Sequence, residues 1–351
     1  MGLFSRNAYG IDIGTQSVKI VELKKKGSDF EVANYAHWND DLGDTVQSKG
    51  NSMSTDKVAG IISSMMKESG MKISEAYFAM PGFLSFSSVI NLPKMSDAEL
   101  AQAVPLEARQ YIPVPMSDVQ VDWINLGEDP SGDKTQVLIM AIPNSAIRRY
   151  TQIAQALGVK IKGFELDIFS QIRSLELEPR NTCIVDIGAR SSTVSIINEK
   201  KELMMTRSFD VGGNQISTRI SEVMNISMER AEQLKIDNGM VGDQGVASVI
   251  GGVVGAFIGD EVLRMLHEFN ENREQKVEKI LICGGISRMK GIQDFVTQKL
   301  HSLDKKFIET EVAIAYPSAK LKVKDELYEE FVQNIWQDLS LAIGIALRQY
   351  M

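Results

Sequence analysis

The sequence predicts an α/β protein of two lobes, each built on the same kind of sheet. Three observations carry that prediction. The first is a duplication. Gly10-Ile11-Asp12-Ile13-Gly14-Thr15-Gln16-Ser17-Val18-Lys19-Ile20 is matched half a chain later by Cys183-Ile184-Val185-Asp186-Ile187-Gly188-Ala189-Arg190-Ser191-Ser192-Thr193-Val194-Ser195-Ile196. Each copy is an apolar run ending in Asp-Ile-Gly, a polar turn with a Ser five residues after the Asp, and a second apolar run that alternates. That is the pattern of a β-hairpin with a carboxylate at the end of its first strand. The second observation is length: 351 residues exceed one simple core and suit two lobes of similar size. The third is the run Lys279-Ile280-Leu281-Ile282-Cys283, which breaks into Gly284-Gly285-Ile286-Ser287 as a strand does at the carboxyl edge of a sheet.

Composition narrows the function. The net charge is −8 and no basic stripe occurs, so nucleic acid is not an expected partner. Cys183 and Cys283 each sit in an apolar run before a glycine turn and read as buried thiols, not as a disulfide or a metal site. The three histidines, His37, His267 and His301, are near neither one another nor a cysteine, which argues against zinc. The start, Met1 to Arg6, lacks the apolar core of a secretory signal and has Arg where a lipidation motif wants Ser or Thr. The most apolar stretch, Val246 to Ile258, is too short to span a bilayer and runs into Asp260-Glu261. The chain is expected to be soluble, with any membrane role exercised through a partner.

The elements follow in order. After the first hairpin a helix is predicted from Thr55 to Ser69, with Ser54 or Thr55 as N-cap and Gly70 as stop. Tyr77 to Met80 reads as a buried strand ending at Pro81-Gly82. The stretch from about Leu84 to Ala156 reads as an inserted block. It holds a strand, Phe86 to Leu92, and a helix begun by the capping box Ser96-Asp97-Ala98-Glu99 and broken at Pro113. Two strands follow, Val119 to Ile124 and Thr135 to Ala141, joined by the turn Asp129 to Asp133, and then a helix, Ser145 to Leu157. A further strand and helix lead to Glu178-Pro179-Arg180-Asn181, the expected lobe boundary, giving lobe I as 1–178 and lobe II as 179–335. The Gly-rich run Val246 to Glu268 reads as a helix, and Gly284-Gly285-Ile286-Ser287 is expected to open another near Met289-Lys290-Gly291. A last apolar helix, Leu339 to Arg348, is expected to return to lobe I within 336–351.

Some of these residues could carry chemistry. Glycines in the two hairpin turns let the backbone approach a ligand, and the turns offer N–H and hydroxyl donors. Two such hairpins facing each other would grip an anion from both sides. A nucleotide's phosphate chain is the obvious candidate, with Asp12 and Asp186 holding Mg²⁺ through its waters. Gly284 and Gly285 would let a base and ribose pack close, or bring a phosphate to a helix dipole. Glu232 and Lys235 share a helix face, as ribose and adenine ligands or as a solvated ion pair.

Together these residues resemble the actin-like ATPase superfamily. Within it they resemble the PilM branch, relatives of FtsA that serve type IV pilus assembly. Gly2-Leu3-Phe4-Ser5, Ser17-Val18-Lys19, Val21-Glu22-Leu23, Glu107 to Pro113, Gly212-Gly213-Asn214, Ala231 to Lys235 and Glu261 to Arg264 carry that likeness over essentially the whole chain. The resemblance implies an actin-like two-lobe ATPase fold of duplicated RNase H-like sheets, an FtsA-type inserted subdomain in the first lobe, and ATP in the cleft between lobes. It places Asp12, Gly14, Thr15, Gln16, Ser17 and Lys19 on one side of the phosphates and Asp186, Gly188, Arg190, Ser191 and Ser192 on the other. Gly212 and Gly213 would approach ribose or phosphate, Glu232 and Lys235 the nucleoside, and Gly284, Gly285 and Ser287 the adenosine. Asp167 would stand where hydrolysing relatives orient water.

The implied function is an ATP-binding cytoplasmic adaptor, recruited to the inner membrane through a partner and at most a slow ATPase. It would bind the N-terminal cytoplasmic tail of a PilN-type membrane protein in a groove between the first lobe's core and the inserted block, and engage the pilus assembly motor complex. The alternative is an FtsA- or MreB-like polymerising cytoskeletal or division protein. FtsA relatives usually add a membrane helix after the connecting helix, and the chain stops at Arg348-Gln349-Tyr350-Met351. A small-molecule kinase on the same fold would need a base near the γ-phosphate and a polar substrate pocket, for which no dedicated motif is visible.

Overall fold

The computed structural model describes residues 7–39, 54–129, 132–273, 275–324 and 326–351. Met1 to Arg6, and Pro130-Ser131 of the predicted turn, lie outside them. The chain divides into two compact units. Unit one is Met1–Gly82, Ser145–Leu177 and Tyr316–Met351; unit two is Phe83–Asn144 and Glu178–Ala315.

Unit one opens with β1 (Ala8–Ile13), β2 (Ser17–Lys26), β3 (Asp29–Asn39), α1 (Thr55–Ser69) and β4 (Glu75–Met80). The Ser54 side chain accepts from the Lys57 N–H at the start of α1, and Gly70 ends the helix at φ 70°, the two signals read in the sequence. The chain then supplies unit two with β5 (Phe86–Pro93), α2 (Asp97–Glu107), β6 (Val119–Glu128) and β7 (Lys134–Pro143). It returns to unit one with α3 (Asn144–Leu157), β8 (Lys160–Leu166) and α4 (Asp167–Ser174). Unit two continues with β9 (Thr182–Ile187), β10 (Ser192–Ile197), β11 (Leu203–Phe209), α5 (Gly213–Met224), α6 (Met228–Asn238), α7 (Gln244–Phe257) and α8 (Leu263–Arg273). It closes with β12 (Lys279–Cys283), α9 (Ile292–Leu303) and β13 (Glu311–Ile314), after which β14 (Leu321–Val323) and α10 (Glu326–Leu347) complete unit one.

The duplication extends to whole sheets. Unit one orders its strands β14-β3-β2-β1-β4-β8, and unit two β11-β10-β9-β12-β13. From β3 to β8, and again from β11 to β13, two antiparallel steps are followed by two parallel ones. Each repeat therefore has the first strand of its hairpin, β1 or β9, at the centre, and each Asp stands near the carboxyl end of that strand.

In unit one, glycines bring α10 close. A Cβ on Gly10 would stand 1.8 Å from the Ala342 carbonyl oxygen, and one on Gly344 2.0 Å from that of Ser170. Ala342, Ile343, Ala346 and Leu347 of α10 pack with Ala8, Val21 and Leu23 of β1 and β2. A buried ion cluster lies beside this helix. Glu165 accepts from Arg173 at 2.9 and 3.0 Å, from the Ser170 hydroxyl at 2.5 Å, and from Arg348. Arg173 also donates to the Gly344 carbonyl at 2.6 Å. Burial alone would raise the Glu165 pKa, but the Arg173, Ser170 and Arg348 bonds outweigh it and hold the carboxyl below its usual range.

In unit two, β5-β7-β6 form a three-stranded sheet under α2, with Leu100, Val104 and Ala108 packed on Ile90, Val137, Ile139 and Ala141. The predicted capping box is present at Ser96 and Glu99. Along β6 the Trp123 N–H donates to the Asp122 carboxylate and the Gly127 N–H to the Asn125 side chain, at 2.9 Å each, beside a bulge between Asn125 and Gly127. These features blunt the edge against further strand pairing. Where the sequence reading placed the block in the first lobe through Ala156, residues 83–144 belong to unit two, with β5 against β11. Its expected last helix, α3, stays in unit one because Tyr150 packs edge-on against Phe78 and Phe164, with ring centroids 5.9 and 6.3 Å apart.

The apolar stretch expected to be too short for a bilayer belongs to a longer helix. As the reading of a helix from Val246 to Glu268 requires, it runs past Asp260 and Glu261: a π turn, Ile258–Val262, carries the chain from α7 into α8. Among the described residues this helix, Gln244–Glu271, is long and apolar enough to cross a membrane by length and composition. Its Val246, Ile250, Val254, Phe257, Val262, Leu266 and Phe269 are buried in the core of unit two.

Candidate functional site

The two hairpin turns have one geometry. In unit one the Gly14 N–H donates to the Ser17 carbonyl at 2.9 Å, and in unit two the Gly188 N–H donates to that of Ser191 at 3.0 Å. A Cβ on either glycine would stand 3.1 Å from the same carbonyl oxygen, an equally tight fit in both turns. Thr15, Gln16 and Ser17 in the first turn, and Ala189, Arg190 and Ser191 in the second, are half-buried. Each turn thus presents backbone and side-chain donors.

The hairpins differ at the position facing the aspartate. Lys19 lies opposite Asp12 in the register and donates to it at 3.1 Å, with 14% and 9% of the two side chains exposed. Thr193 lies opposite Asp186, and its hydroxyl is 3.2 Å from that of Ser208. Asp167 begins α4 and accepts the Gly82 N–H at 2.9 Å and its neighbour Ile168 N–H at 2.8 Å. Both of its oxygens serve backbone donors, so what is seen is a brace joining the end of β4 to α4.

In unit two the second turn is tied to α5. The Gly213 and Asn214 N–H groups donate to the Gly188 and Ala189 carbonyls at 2.9 and 2.8 Å. Gly212 must be bare because a Cβ there would meet the Ala189 carbonyl oxygen at 2.7 Å. Ser192 is 1% exposed and donates to the Val211 carbonyl at 2.5 Å, so it braces the hairpin instead of offering its proton to a ligand.

Glu232 and Lys235 are not a solvated pair. Lys235 Nζ donates to Glu232 at 2.6 Å, to Ser217 Oγ at 2.9 Å and to the Gly213 carbonyl at 3.2 Å. Ser217 in turn donates to Glu232. Burial lowers the Lys235 pKa, against the pull of Glu232. Ser217 escaped the sequence reading; its only signal is a position four residues after Gly213, one helical turn on.

At Gly284-Gly285 the structure differs from the expected helix dipole, while the helix expected near Met289-Lys290-Gly291 does begin there. The glycine pair opens a 3₁₀ turn, Gly285–Arg288, and α9 begins at Ile292, after Gly291 at φ 77°. No α-helix dipole points from Gly284. Its φ is 74°, and a Cβ there would stand 2.3 Å from Asp186 Oδ1 and 2.5 Å from the Ile187 carbonyl oxygen. Gly284 therefore makes room for Asp186, while the Ser287 hydroxyl closes the turn on the Gly284 carbonyl at 2.7 Å. Burial, with Asp186 beside it, pushes the Cys283 thiol pKa well up. Gly284→Ala is expected to cost unit two about 2–3 kcal/mol, from left-handed strain plus the clash, measured by urea denaturation.

Comparison with known proteins places this geometry. The sequence profile of the family described as type IV pilus assembly protein PilM matches residues 10–350. The chain belongs to the PilM family. The fold of this PilM-family chain is the actin-like ATPase fold. The structure of a PilM-PilN type IV pilus biogenesis complex is similar over 99% of both chains, with TM-score 0.80 and 21% identity. EutJ, an ethanolamine utilization protein from Carboxydothermus hydrogenoformans, matches 99% of this chain and 91% of its own, with TM-score 0.56 and 14% identity. The cell division protein FtsA of Enterococcus hirae is 21% identical over 95% of this chain and 85% of its own length. The chain spans 55% of the Streptococcus pneumoniae FtsA and 57% of the Enterococcus faecalis one, at 21% and 22% identity. Family membership assigns this chain to type IV pilus assembly.

Proposed function

We propose that this PilM-family chain is an ATP-binding cytoplasmic adaptor of the inner-membrane pilus assembly complex, holding the N-terminal tail of a PilN-type membrane protein. The observation that supports nucleotide binding is the matched pair of carboxylate hairpins on sheets of one topology, the second tied through Gly213 to the Lys235 cluster. Asp12, Gly14, Thr15, Gln16, Ser17 and Lys19 supply one set of phosphate contacts; Asp186, Gly188, Arg190 and Ser191 supply the other. Lys235 and Glu232 serve the nucleoside, and Gly212, Gly213, Gly285 and the Ser287 turn bound its place. Asp167 and Ser192 support the site as braces.

Mg²⁺ fits this donor set as a water-held ion. The two hairpins each carry one hard carboxylate, and no group of three or more His, Cys, Asp or Glu able to hold a metal occurs among the described residues. Bound with the nucleotide, Mg²⁺ would offset phosphate charge. The PilN-type partner rests on family membership and on the PilM-PilN complex of similar fold. Recruitment through that tail would bring the chain to the membrane, and nucleotide state would bias its partners, the assembly motor complex among them.

Calorimetry tests both parts. Mg-ATP is expected to bind one-to-one, and Lys235→Met to weaken it at least about tenfold, the loss of one charge-assisted contact. A PilN-type tail peptide is expected to bind one-to-one, with different affinities in the presence and absence of Mg-ATP. No heat with Mg-ATP overturns the nucleotide reading. No tail binding in either state overturns the adaptor reading, and equal tail affinity in both states overturns the linkage.

A further inference from the structure

One corner of the unit-one sheet gathers lysines in a chain whose net charge is −8. Leu321 and Val323 of β14 pack in the core under α10 with Leu23, Phe30 and Val32, so the residues that alternate with them turn to the opposite face. On that face Lys24, Glu31 and Lys322 form one cross-strand row, and Lys26 and Asp29 pair in the row beside it. Lys320 and Lys324 flank β14 on the same face, their backbones still bonded to Phe30 and Val32 of β3. Lys26, Lys320, Lys322 and Lys324 are exposed and Lys24 is half-buried. Lys26 bridges Glu31 at 2.6 Å, while Lys24, Lys320, Lys322 and Lys324 make no ion pair among the described residues. The lysines come from opposite ends of the chain, which is why no basic stripe shows in the sequence.

Lysines guard an exposed sheet edge against strand pairing. That role accounts for those of β14, the outermost strand, but not for Lys24 and Lys26 on β2, two strands further in. Five lysines against the two carboxylates of Asp29 and Glu31 leave an excess of positive charge spread across three strands. We propose that this corner docks on an anionic lipid bilayer, its lysines meeting the acidic headgroups. A bilayer offers anions over the whole width of such a patch, whereas an acidic peptide is a single line of charge and would follow one strand. Acids elsewhere on the chain are screened beyond about 10 Å in physiological salt, so the local excess governs the approach. The contact adds to recruitment through a partner's tail and does not depend on it.

Co-sedimentation of the full chain with protein-free vesicles tests this. Binding is expected to vesicles of phosphatidylglycerol and phosphatidylcholine at ~50 mM salt, and is expected to be lost at ~500 mM. Each lysine near such a surface is worth about fivefold, so K320Q/K322Q/K324Q should bind about a hundredfold more weakly, with an unchanged circular dichroism melt. K320R/K322R/K324R keeps the charge and should stay within about threefold of the parent. K305Q/K306Q removes two exposed lysines from unit two and should change binding by less than about twofold. No binding at low salt, or equal binding to pure phosphatidylcholine, overturns the proposal. So does a loss in K320Q/K322Q/K324Q no greater than in K305Q/K306Q. Soluble polyglutamate or duplex DNA that displaces the vesicles at equal charge also overturns it, and would assign the patch to an acidic protein segment or to nucleic acid.

Discussion

Gly10→Ala is expected to remove most of the stability of unit one. The new Cβ would lie 1.8 Å from the Ala342 carbonyl oxygen and 2.8 Å from the Ala346 N, both backbone atoms in the last two turns of α10. No side-chain rotation can relieve such a contact. The helix must lift from β1, and lifting it opens the packing of Ala8, Val21 and Leu23 against Ile343, Ala346 and Leu347. Strained overpacking costs about 1–3 kcal/mol, and the gaps left around the lifted helix add more, so a loss above about 3 kcal/mol is expected. Urea denaturation followed by far-ultraviolet circular dichroism measures it. A loss under 1 kcal/mol would mean that α10 does not lie on β1 as described.

Glu165→Gln is the second large effect. The carboxylate, 2% exposed, takes charge-assisted bonds from Arg173 and Arg348. An amide of the same shape leaves two guanidinium groups without their anion, which costs about 3–5 kcal/mol at a buried site. The same group shapes the response to acid. Its folded pKa lies below the unfolded one, so its contribution is present above the unfolded carboxylate range and is lost as pH falls through the folded value. Stability measured between pH 7 and 3 should therefore fall on the acid side in the parent. The variant should be weaker at pH 7 and fall less steeply below about pH 4. Parallel acid limbs in the two proteins would show that Glu165 does not carry this dependence.

What could be read from the sequence is what forms from neighbours. The caps of α1, the capping box at Ser96 and both Asp-Ile-Gly turns close hydrogen bonds within five residues, so their residue types announce them. The Glu232–Lys235 pair shows the limit. Its spacing is local, but what removes it from water is the Gly213 carbonyl and Ser217, which are 22 and 18 residues from Lys235. Gly284 is a second case. Its neighbours resemble a strand running into a helix, and the reason for the glycine is Asp186 on the adjacent strand. The allegiance of α3 was hidden likewise, because the rings that hold it, Phe78 and Phe164, lie on strands on either side of it in the chain.

The threading of the chain has a consequence for synthesis. Unit one is written in three instalments, and α10, which covers β1, comes after every strand of both sheets. A growing chain can finish unit two while the first-made hairpin still shows an uncovered apolar face. The oldest strand is the last to be buried. During translation that face is exposed apolar surface of the kind chaperones cover.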